Sequence, residues 1–523
     1  MAGCETFSRN ASGVRAINGS SAFAPTTLAL GLNVEELPSR PRGVREKEAT
    51  IMPLQIPEWS RLSRRAFLSQ YAGGVGSLAL AHLINGAARA EGSPPGWPSV
   101  AKLGRAKSVI CLFQHGGPSQ MDLFDPKPEL TKWNGKPYPG GDLEVHFDKQ
   151  KGNVLGSPFQ FAKHGECGME LCDQLPETAK IADEICLVRS MNTESVDHES
   201  ALRLIHSGKF LAGMPAWGSW VVYALGAENS NLPAYVVLGD PGGLPVDGER
   251  NWSSGFLPAV YQGTAFRSGA SPVFNLQPPA GVGPNARRNQ LKLLDELNRR
   301  HHERHPENTE LAARIANFET AARMQASVPE ALDLSSETEA THKMYGLDNP
   351  ATKEYGTRCL LARRLIERGV RFVQLFLSGQ PWDTHSKNAE SLRGLCAQTD
   401  RPSAALVQDL KQRGLLDETI VLWTGEFGRL PISQGTDGRD HNRRGFSLWL
   451  AGGGFKAGHV HGATDDFGYA AVKDVVNVHD LHATLLTTLG IDHHRLAHPH
   501  EGGDASLTDA EVTKARVVNE LLA

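Results

Sequence analysis

Cysteine is scarce in this chain, seven among 523 residues, and no two stand as C-x-x-C. That usage excludes a disulfide framework, a zinc finger and a thioredoxin-type redox pair. A dominant charge is missing as well: 54 Lys and Arg meet 58 Asp and Glu, for a net of −4. The balance hides an asymmetry, because the first 90 residues hold 10 basic and 6 acidic side chains and leave 44 and 52 to the rest, a net of −8. A mildly acidic body argues against nucleic acid as the partner. Internal repeats and low-complexity segments are absent, and the glycine run 452–454 lacks the Gly-Lys-Ser/Thr ending of a nucleotide loop. What remains, 40% hydrophobic and 21% charged residues, buries a large core and rules out a disordered or collagen-like polymer.

Long apolar runs are confined to one place. Residues 60–91 read as a twin-arginine export signal: Arg64-Arg65, then Phe67-Leu68, a weakly apolar stretch rich in Gly and Ala, and Ala88-Arg89-Ala90 before Glu91. A short membrane anchor is the alternative, but Gly73, Gly74, Gly76 and Gly86 with His82 and Asn85 keep the hydrophobicity low. No other segment is apolar enough to span a bilayer. The expected organisation is a spurious or disordered extension over 1–51, a signal peptide over 52–90 with translation starting at Met52, and one domain over 91–523. The signal predicts a periplasmic or extracellular protein with no stable membrane span after cleavage, exported already folded and suited to carrying a metal or cofactor loaded beforehand.

Within that domain, runs rich in β-branched residues at 107–113, 185–188, 370–377, 419–423 and 446–450 alternate with helical patterns at 286–302, 310–326, 353–368, 403–413 and 478–489. Such alternation predicts an α/β fold with a largely parallel sheet between helices. Residues 127–180 and 227–285, rich in Gly, Pro and Asn, are expected as long inserted loops. In open α/β sheets ligands bind beyond the carboxyl ends of the strands, and the unusual polar residues lie there.

Trp382-Asp383-Thr384-His385 follows the strongest strand pattern, and a carboxylate and an imidazole two residues apart in a loop can face one cation; Asp383 or Thr384 capping the next helix is the alternative. Thr424-Gly425-Glu426-Phe427-Gly428-Arg429 offers Glu426 as a ligand and Arg429 as an anion fork, or else a Glu–Arg pair that steadies a turn. Gly438-Arg439-Asp440-His441 adds an imidazole, with Asp440 as a second carboxylate or as the group that orients the His441 ring; a plain polar turn reads equally well. His115, after the first strand in Gln114-His115-Gly116-Gly117-Pro118-Ser119, either points into the crevice or packs within a Gly-Pro turn. The stretch from Asn192 to His198 opens a helix after the second strand, and Thr193 or Ser195 near its N-terminus is either an N-cap or a nucleophile facing the helix dipole.

These loops resemble those of the alkaline-phosphatase-like superfamily of phosphatases, sulfatases and cofactor-independent phosphoglycerate mutases. More closely, the whole mature chain resembles an exported bacterial family of unknown function, domain of unknown function 1501, often labelled sulfatase-like. The marks are His115-Gly-Gly-Pro-Ser-Gln-Met-Asp-Leu-Phe-Asp-Pro-Lys-Pro128, Leu187-Val-Arg-Ser190, the segment Ala362 to Phe372, Trp382-Asp-Thr-His385, Thr424-Gly-Glu-Phe-Gly-Arg429, Gly438-Arg-Asp-His441, Ala451-Gly-Gly-Gly454 and Asp480-Leu-His-Ala-Thr484. The resemblance implies a three-layer alkaline-phosphatase-like sandwich acting as a metal-dependent hydrolase of phosphate or sulfate esters. It implies two divalent cations (Zn, Ca, Mg or Mn) about 4 Å apart that neutralise the ester oxyanion while a Ser or Thr hydroxyl attacks in line.

Carried over by position, Asp383, His385 and His441 hold one ion, and Glu426 with His115 and Thr193 or Ser195 the other. Arg429 grips the anion, while Asp440 and His198 stand behind the ligands. Two departures weaken the second site: the usual first-strand Asp reads Gln114-His115, and the usual Asp-His pair reads Glu426-Phe427, so one ion alone is also foreseen. The absence of a Cys/Ser-x-Pro-x-Arg segment excludes a formylglycine sulfatase. Expected substrates are anionic esters, including sulfated or phosphorylated polysaccharide. The rival is a catalytically degenerate relative that binds a polysaccharide or an envelope partner.

Overall fold

The computed structural model describes residues 104–267, 281–305 and 327–523, with 315, 319 and 322–324. The extension, the signal segment and most of the helix expected over 310–326 lie outside them. Strands in chain order are β1 (Ser108–Phe113), β2 (Lys151–Val154), β3 (Ile185–Asn192), β4 (Tyr235–Leu238), β5 (Thr264–Phe266), β6 (Phe372–Phe376), β7 (Thr419–Thr424), β8 (Gly428–Gln434), β9 (Gly438–Asn442), β10 (Phe446–Ala451), β11 (His459–His461) and β12 (Val476–Asn477). The helices that matter for the site are α1 (His198–Ser207), α2 (Trp217–Leu225), α3 (Lys353–Glu367), α4 (Asn388–Gln412) and α5 (Val478–Thr488).

Nine strands form one mixed sheet in the order β11-β3-β10-β7-β1-β6-β4-β5, with β12 also on β3. Every pairing is parallel except those of β10, which runs against β3 and β7. The central strand shows why the sheet is covered on both sides. Ile110 and Leu112 join the core under α3 and α4, while Val109, Cys111 and Phe113 join the core under α1, α2 and α5. A strand with five successive apolar side chains, as in SVICLF after Ser108, is stable only between two helical layers. The fold is thus the expected α/β sandwich. Among the described residues no helix is long and apolar enough to cross a membrane, and all six described cysteines are free.

Three expectations need correction. Neither inserted segment is all loop: 127–180 holds the strand Lys151–Val154 and a hairpin of Phe161–His164 with Met169–Cys172, and in 227–285 Tyr235–Leu238 and Thr264–Phe266 are sheet strands. The helix expected at 403–413 is the second half of a longer one that begins at Asn388 and contains Pro402. Residues 428–442 are not turns but an antiparallel hairpin, β8 and β9, which β2 extends to three strands. Arg429 lies opposite His441 in that hairpin, so two candidate site residues sit on rigid strands.

Candidate metal centre

The loops that follow β1, β3, β6 and β7 meet the β8–β9 hairpin. Two glycines permit the closest approaches. Gly116 has φ +110°, and a Cβ there would collide with the backbone nitrogen of Asp383; one on Gly438 would collide with the carbonyl of His385. Trp382 is fixed from both ends, its N–H donating to the His115 carbonyl at 3.0 Å and its indole Nε1 to Gln114 Oε1 at 3.0 Å. The Asp383–His385 loop is therefore pinned against the end of β1.

Asp383 is the hub. Its Oδ1 lies 2.9 Å from His385 Nε2 and 3.2 Å from His441 Nε2, and its Oδ2 lies 3.3 Å from His198 Nε2. One donor atom from each of these four residues falls within 4.8 Å of all the others. Each imidazole is held by its other nitrogen. His198 Nδ1 is 2.6 Å from Glu426 Oε1, His441 Nδ1 is 2.6 Å from the Val196 carbonyl, and His385 Nδ1 bonds Gln434 Oε1. An oxygen acceptor on Nδ1 takes a ring proton there and turns Nε2 toward the centre, the arrangement in which a metal takes a neutral imidazole.

The charges follow. Burial opposes ionisation of Asp383, but the charged His198, the His385 and His441 rings against it and the nearby Arg429 hold its carboxyl far below the ordinary range. Burial likewise works against a charged His198, yet bonds to Asp383 and Glu426 prevail and raise it to about 9. His441 moves to about 4, lowered by burial and by the positive Arg429, with Asp383 only partly compensating. Glu426 stays below its ordinary value, because its bonds with His198 outweigh complete burial.

Several expected roles change. His198, assigned to stand behind the ligands, is one of the four converging side chains. It sits at the first turn of α1, whose N-cap is Asp197 accepting from the Ser200 N–H at 3.0 Å. Neither Thr193 nor Ser195 is that cap. Ser195 Oγ accepts the Asp197 N–H at 3.1 Å in the preceding turn, whereas Thr193 is buried with no protein partner for its hydroxyl. Glu426 is spent on the Gly116 N–H at 2.9 Å and on His198, so it supports a ligand and lies outside the cluster.

His115 lies outside it too. Its ring packs 4.9 Å from Phe113 and 5.6 Å from Phe376, and burial lowers it to about 4 despite the nearby Glu426. Both of its nitrogens lack a protein partner. Arg429 is completely buried, and its guanidinium is consumed by the carbonyls of Gly116, Gly117, Trp382 and Arg439 and by Asp383 Oδ1 at 2.7 Å. With all three nitrogens bonded inside the protein and no exposed surface, the residue braces Asp383 and does not face an anion. Asp440 does not touch the His441 ring. Its Oδ1 accepts the His441 N–H at 2.9 Å and its Oδ2 the N–H groups of His146 and Phe147 at 2.8 and 2.9 Å. That holds the His146 ring over His441, centroids 5.0 Å apart, and Phe147 5.3 Å from His385.

Reasoning from sequence missed His146, Phe147 and Gln434, for which spacing gave no signal. It also left Asp122 and Arg439 without a role. They form a wholly buried two-pronged ion pair, Nε to Oδ2 2.7 Å and Nη2 to Oδ1 2.9 Å, with Ser119 and Asn388 donating to the same carboxylate. This pair clamps the hairpin to the segment after β1.

Fold and cluster together define an α/β protein with a candidate metal centre at the carboxyl edge of its sheet. The chain belongs to a family whose description is a protein of unknown function (DUF1501), the family model matching residues 106–522. No curated protein matches it significantly. Among solved structures it is similar to Ps i-CgsB in complex with k-i-k-neocarrahexaose, at 10% identity over 79% of this chain and 77% of the other, TM-score 0.34. It is also similar to the PsFucS1 sulfatase from Pseudoalteromonas sp., at 13% identity over 81% and 72%, TM-score 0.32. A third is an alkaline phosphatase from the Antarctic bacterium TAB5, at 11% identity over 74% and 99%, TM-score 0.29.

Proposed function

We propose that the protein is an exported hydrolase of phosphate or sulfate esters that works with one divalent metal ion held by His198, Asp383, His385 and His441. The observation that carries this reading is the convergence of three Nε2 atoms on one carboxylate, each ring fixed through Nδ1 by its own acceptor. Three nitrogens and one oxygen make a donor set suited to zinc or another first-row metal ahead of calcium or magnesium, which prefer oxygen. When bound, such an ion supplies Lewis-acid stabilisation of the charge that develops on an ester oxyanion. Asp383 and the three rings place it, and Arg429 and Glu426 hold that geometry from behind. Thr193 is the nucleophile favoured on this reading, since its buried hydroxyl has no competing protein partner. Ser119 donates its hydroxyl to Asp122 at 2.7 Å and is set aside. Export rests on the Arg64-Arg65 signal pattern alone.

A second reading is favoured by the commitment of Arg429 and Glu426 to internal bonds, which leaves neither an anion clamp nor a second ion's carboxylate. On that reading the cleft binds an anionic polysaccharide or an envelope partner without turnover. One experiment separates the two. Protein purified after native export is analysed for metal and assayed with aryl phosphates, phosphodiesters and sulfates, alongside Thr193→Ala and Ser195→Ala. The hydrolase reading expects about one metal ion per chain, turnover that a chelator abolishes, and its loss in Thr193→Ala with metal and Tm retained. Metal without turnover on any ester selects the binding reading, and no metal in the wild type refutes the centre.

A further inference from the structure

Behind the metal centre, on the α1 face of the sheet, two buried histidines form an unfinished hydrogen-bond chain. Tyr235 donates its hydroxyl to Gln374 Oε1 at 2.5 Å, which turns the amide nitrogen of Gln374 toward His206 Nδ1 at 3.3 Å. A ring that accepts at Nδ1 carries its proton on Nε2, so His206 presents an Nε2–H. On the other side, His482 Nε2 lies 2.9 Å from the Ile205 carbonyl. A carbonyl can only accept, so the His482 proton is on Nε2 and its Nδ1 presents a lone pair. These two free positions, a donor on His206 and an acceptor on His482, have no protein partner although both residues are almost wholly buried. Burial keeps both rings neutral, lowering His482 to about 3 and His206 well below its ordinary value.

The same two rings line one cavity, closed otherwise by Thr424 and by apolar side chains that include Trp217, Leu422 and Leu485. The space inside it open to a water's centre is about 10 Å³, close to what one molecule occupies. An apolar cavity of that size stays dry, but this one offers complementary polar atoms.

We propose that this cavity is a binding site for a single structural water, which accepts the His206 Nε2–H and donates to His482 Nδ1. Its second proton points to Thr424 Oγ1, which donates its own hydrogen to the Gly425 carbonyl at 3.0 Å and keeps its lone pairs free. The chain then runs without a break from Tyr235 on β4 through Gln374 on β6 to the Ile205 carbonyl of α1, and ties α1 to α5. That accounts for the histidine in Asp480-Leu-His-Ala-Thr484, which the metal centre does not use, and it secures the helix whose first residue is His198.

A crystal structure of the full exported chain that resolves ordered solvent is the direct test. A solvent peak within hydrogen-bond distance of both His206 Nε2 and His482 Nδ1 is expected, and a dry cavity overturns the proposal. ¹⁵N-histidine NMR of the wild type gives an independent readout: both rings should be neutral with the proton on Nε2, and a proton on Nδ1 of His482 overturns it. Unfolding of His206→Leu, His482→Leu and the double variant completes the test, because removing one partner strands the water and removing both does not. The double variant should melt no lower than the worse single one, and additive losses of Tm count against a bridge.

Discussion

Two buried charged regions flank the same sheet and neutralise their charge in opposite ways. Between α3 and α4, Arg363, Arg364 and Arg413 interleave with Glu337, Glu367 and Asp409. Arg363 alone reaches all three acids, at 2.7, 2.6 and 2.8 Å, and Arg413 Nε closes on Asp409 at 2.7 Å. Tyr345 adds its hydroxyl to Asp409 at 3.0 Å. Three cations answer three anions, and the network is complete within the protein. At the metal centre one carboxylate faces one guanidinium and three imidazole Nε2 atoms that converge on the same spot. The first arrangement resolves its charge with guanidinium groups that do not give up their protons. The second does so with the proton on His198, raised to about 9, which a cation can displace, and in that difference a structural ion network and a candidate ligand site are told apart.

The largest effect should come from the closed network. Replacing Arg363 by Leu takes one partner from each of three acids, leaving Glu337 to Arg364 and both Glu367 and Asp409 to Arg413, and should cost about 3–5 kcal/mol of folding stability, measured by chemical denaturation, with metal content unchanged in the folded fraction. A loss of metal together with that stability would mean that the two regions are one cooperative unit.

Next comes pH. In metal-free protein His198 is raised to about 9, above an unfolded value near 6.5, so its contribution is fully present below pH 6.5 and is lost as pH rises through 9. That amounts to about 3 kcal/mol at most. Metal affinity has the opposite sign, because the ion must displace this proton: apparent affinity should rise by up to about tenfold per pH unit between 6.5 and 9. Thermal unfolding of apo and metal-loaded samples across that range checks both. Parallel pH profiles would remove His198 from the ligand set.

The smallest effect probes the support of a single ring. Gln434→Ala frees His385 Nδ1 and should weaken metal binding by about 10–100-fold, read by competition with a chelator, while folding stability changes by only about 1 kcal/mol. The corresponding amide or carbonyl contacts in the ion network have no metal to lose, so a shift in stability without a shift in affinity would erase the distinction.

Much of the sheet was legible in the sequence because strands buried on both faces carry unbroken apolar runs, as 109–113 and 420–423 do. Tyr235–Leu238 is not recognisable because the five apolar residues between Pro233 and Gly239 carry too little pattern to separate from loop. The β8–β9 hairpin was hidden for a different reason: Arg429, Arg439, Asp440 and His441 are buried, and burying charge defeats the alternation by which a strand is recognised. Asp383, His385 and His441 stood out because acid and imidazole recur at predicted strand ends. His198 was passed over as a ligand because the stretch 192–198 reads as a helix start with Thr193 or Ser195 as its cap. What Arg429 and Glu426 do depends on which atoms approach them from loops hundreds of residues away, and local spacing does not encode that.

The Asp122–Arg439 clamp joins positions 317 residues apart, and the His198–Glu426 contact joins positions 228 apart. Contacts of such separation form only after the intervening chain has collapsed, so the centre is a late product of folding. A ribosome-bound chain that has not yet released the β8–β9 hairpin lacks His441 and the guanidinium brace on Asp383. On the proposed reading, the earliest moment at which an ion could be captured with full affinity is therefore after Asn442 has emerged, and metal content would report that the four loops and the hairpin have closed together.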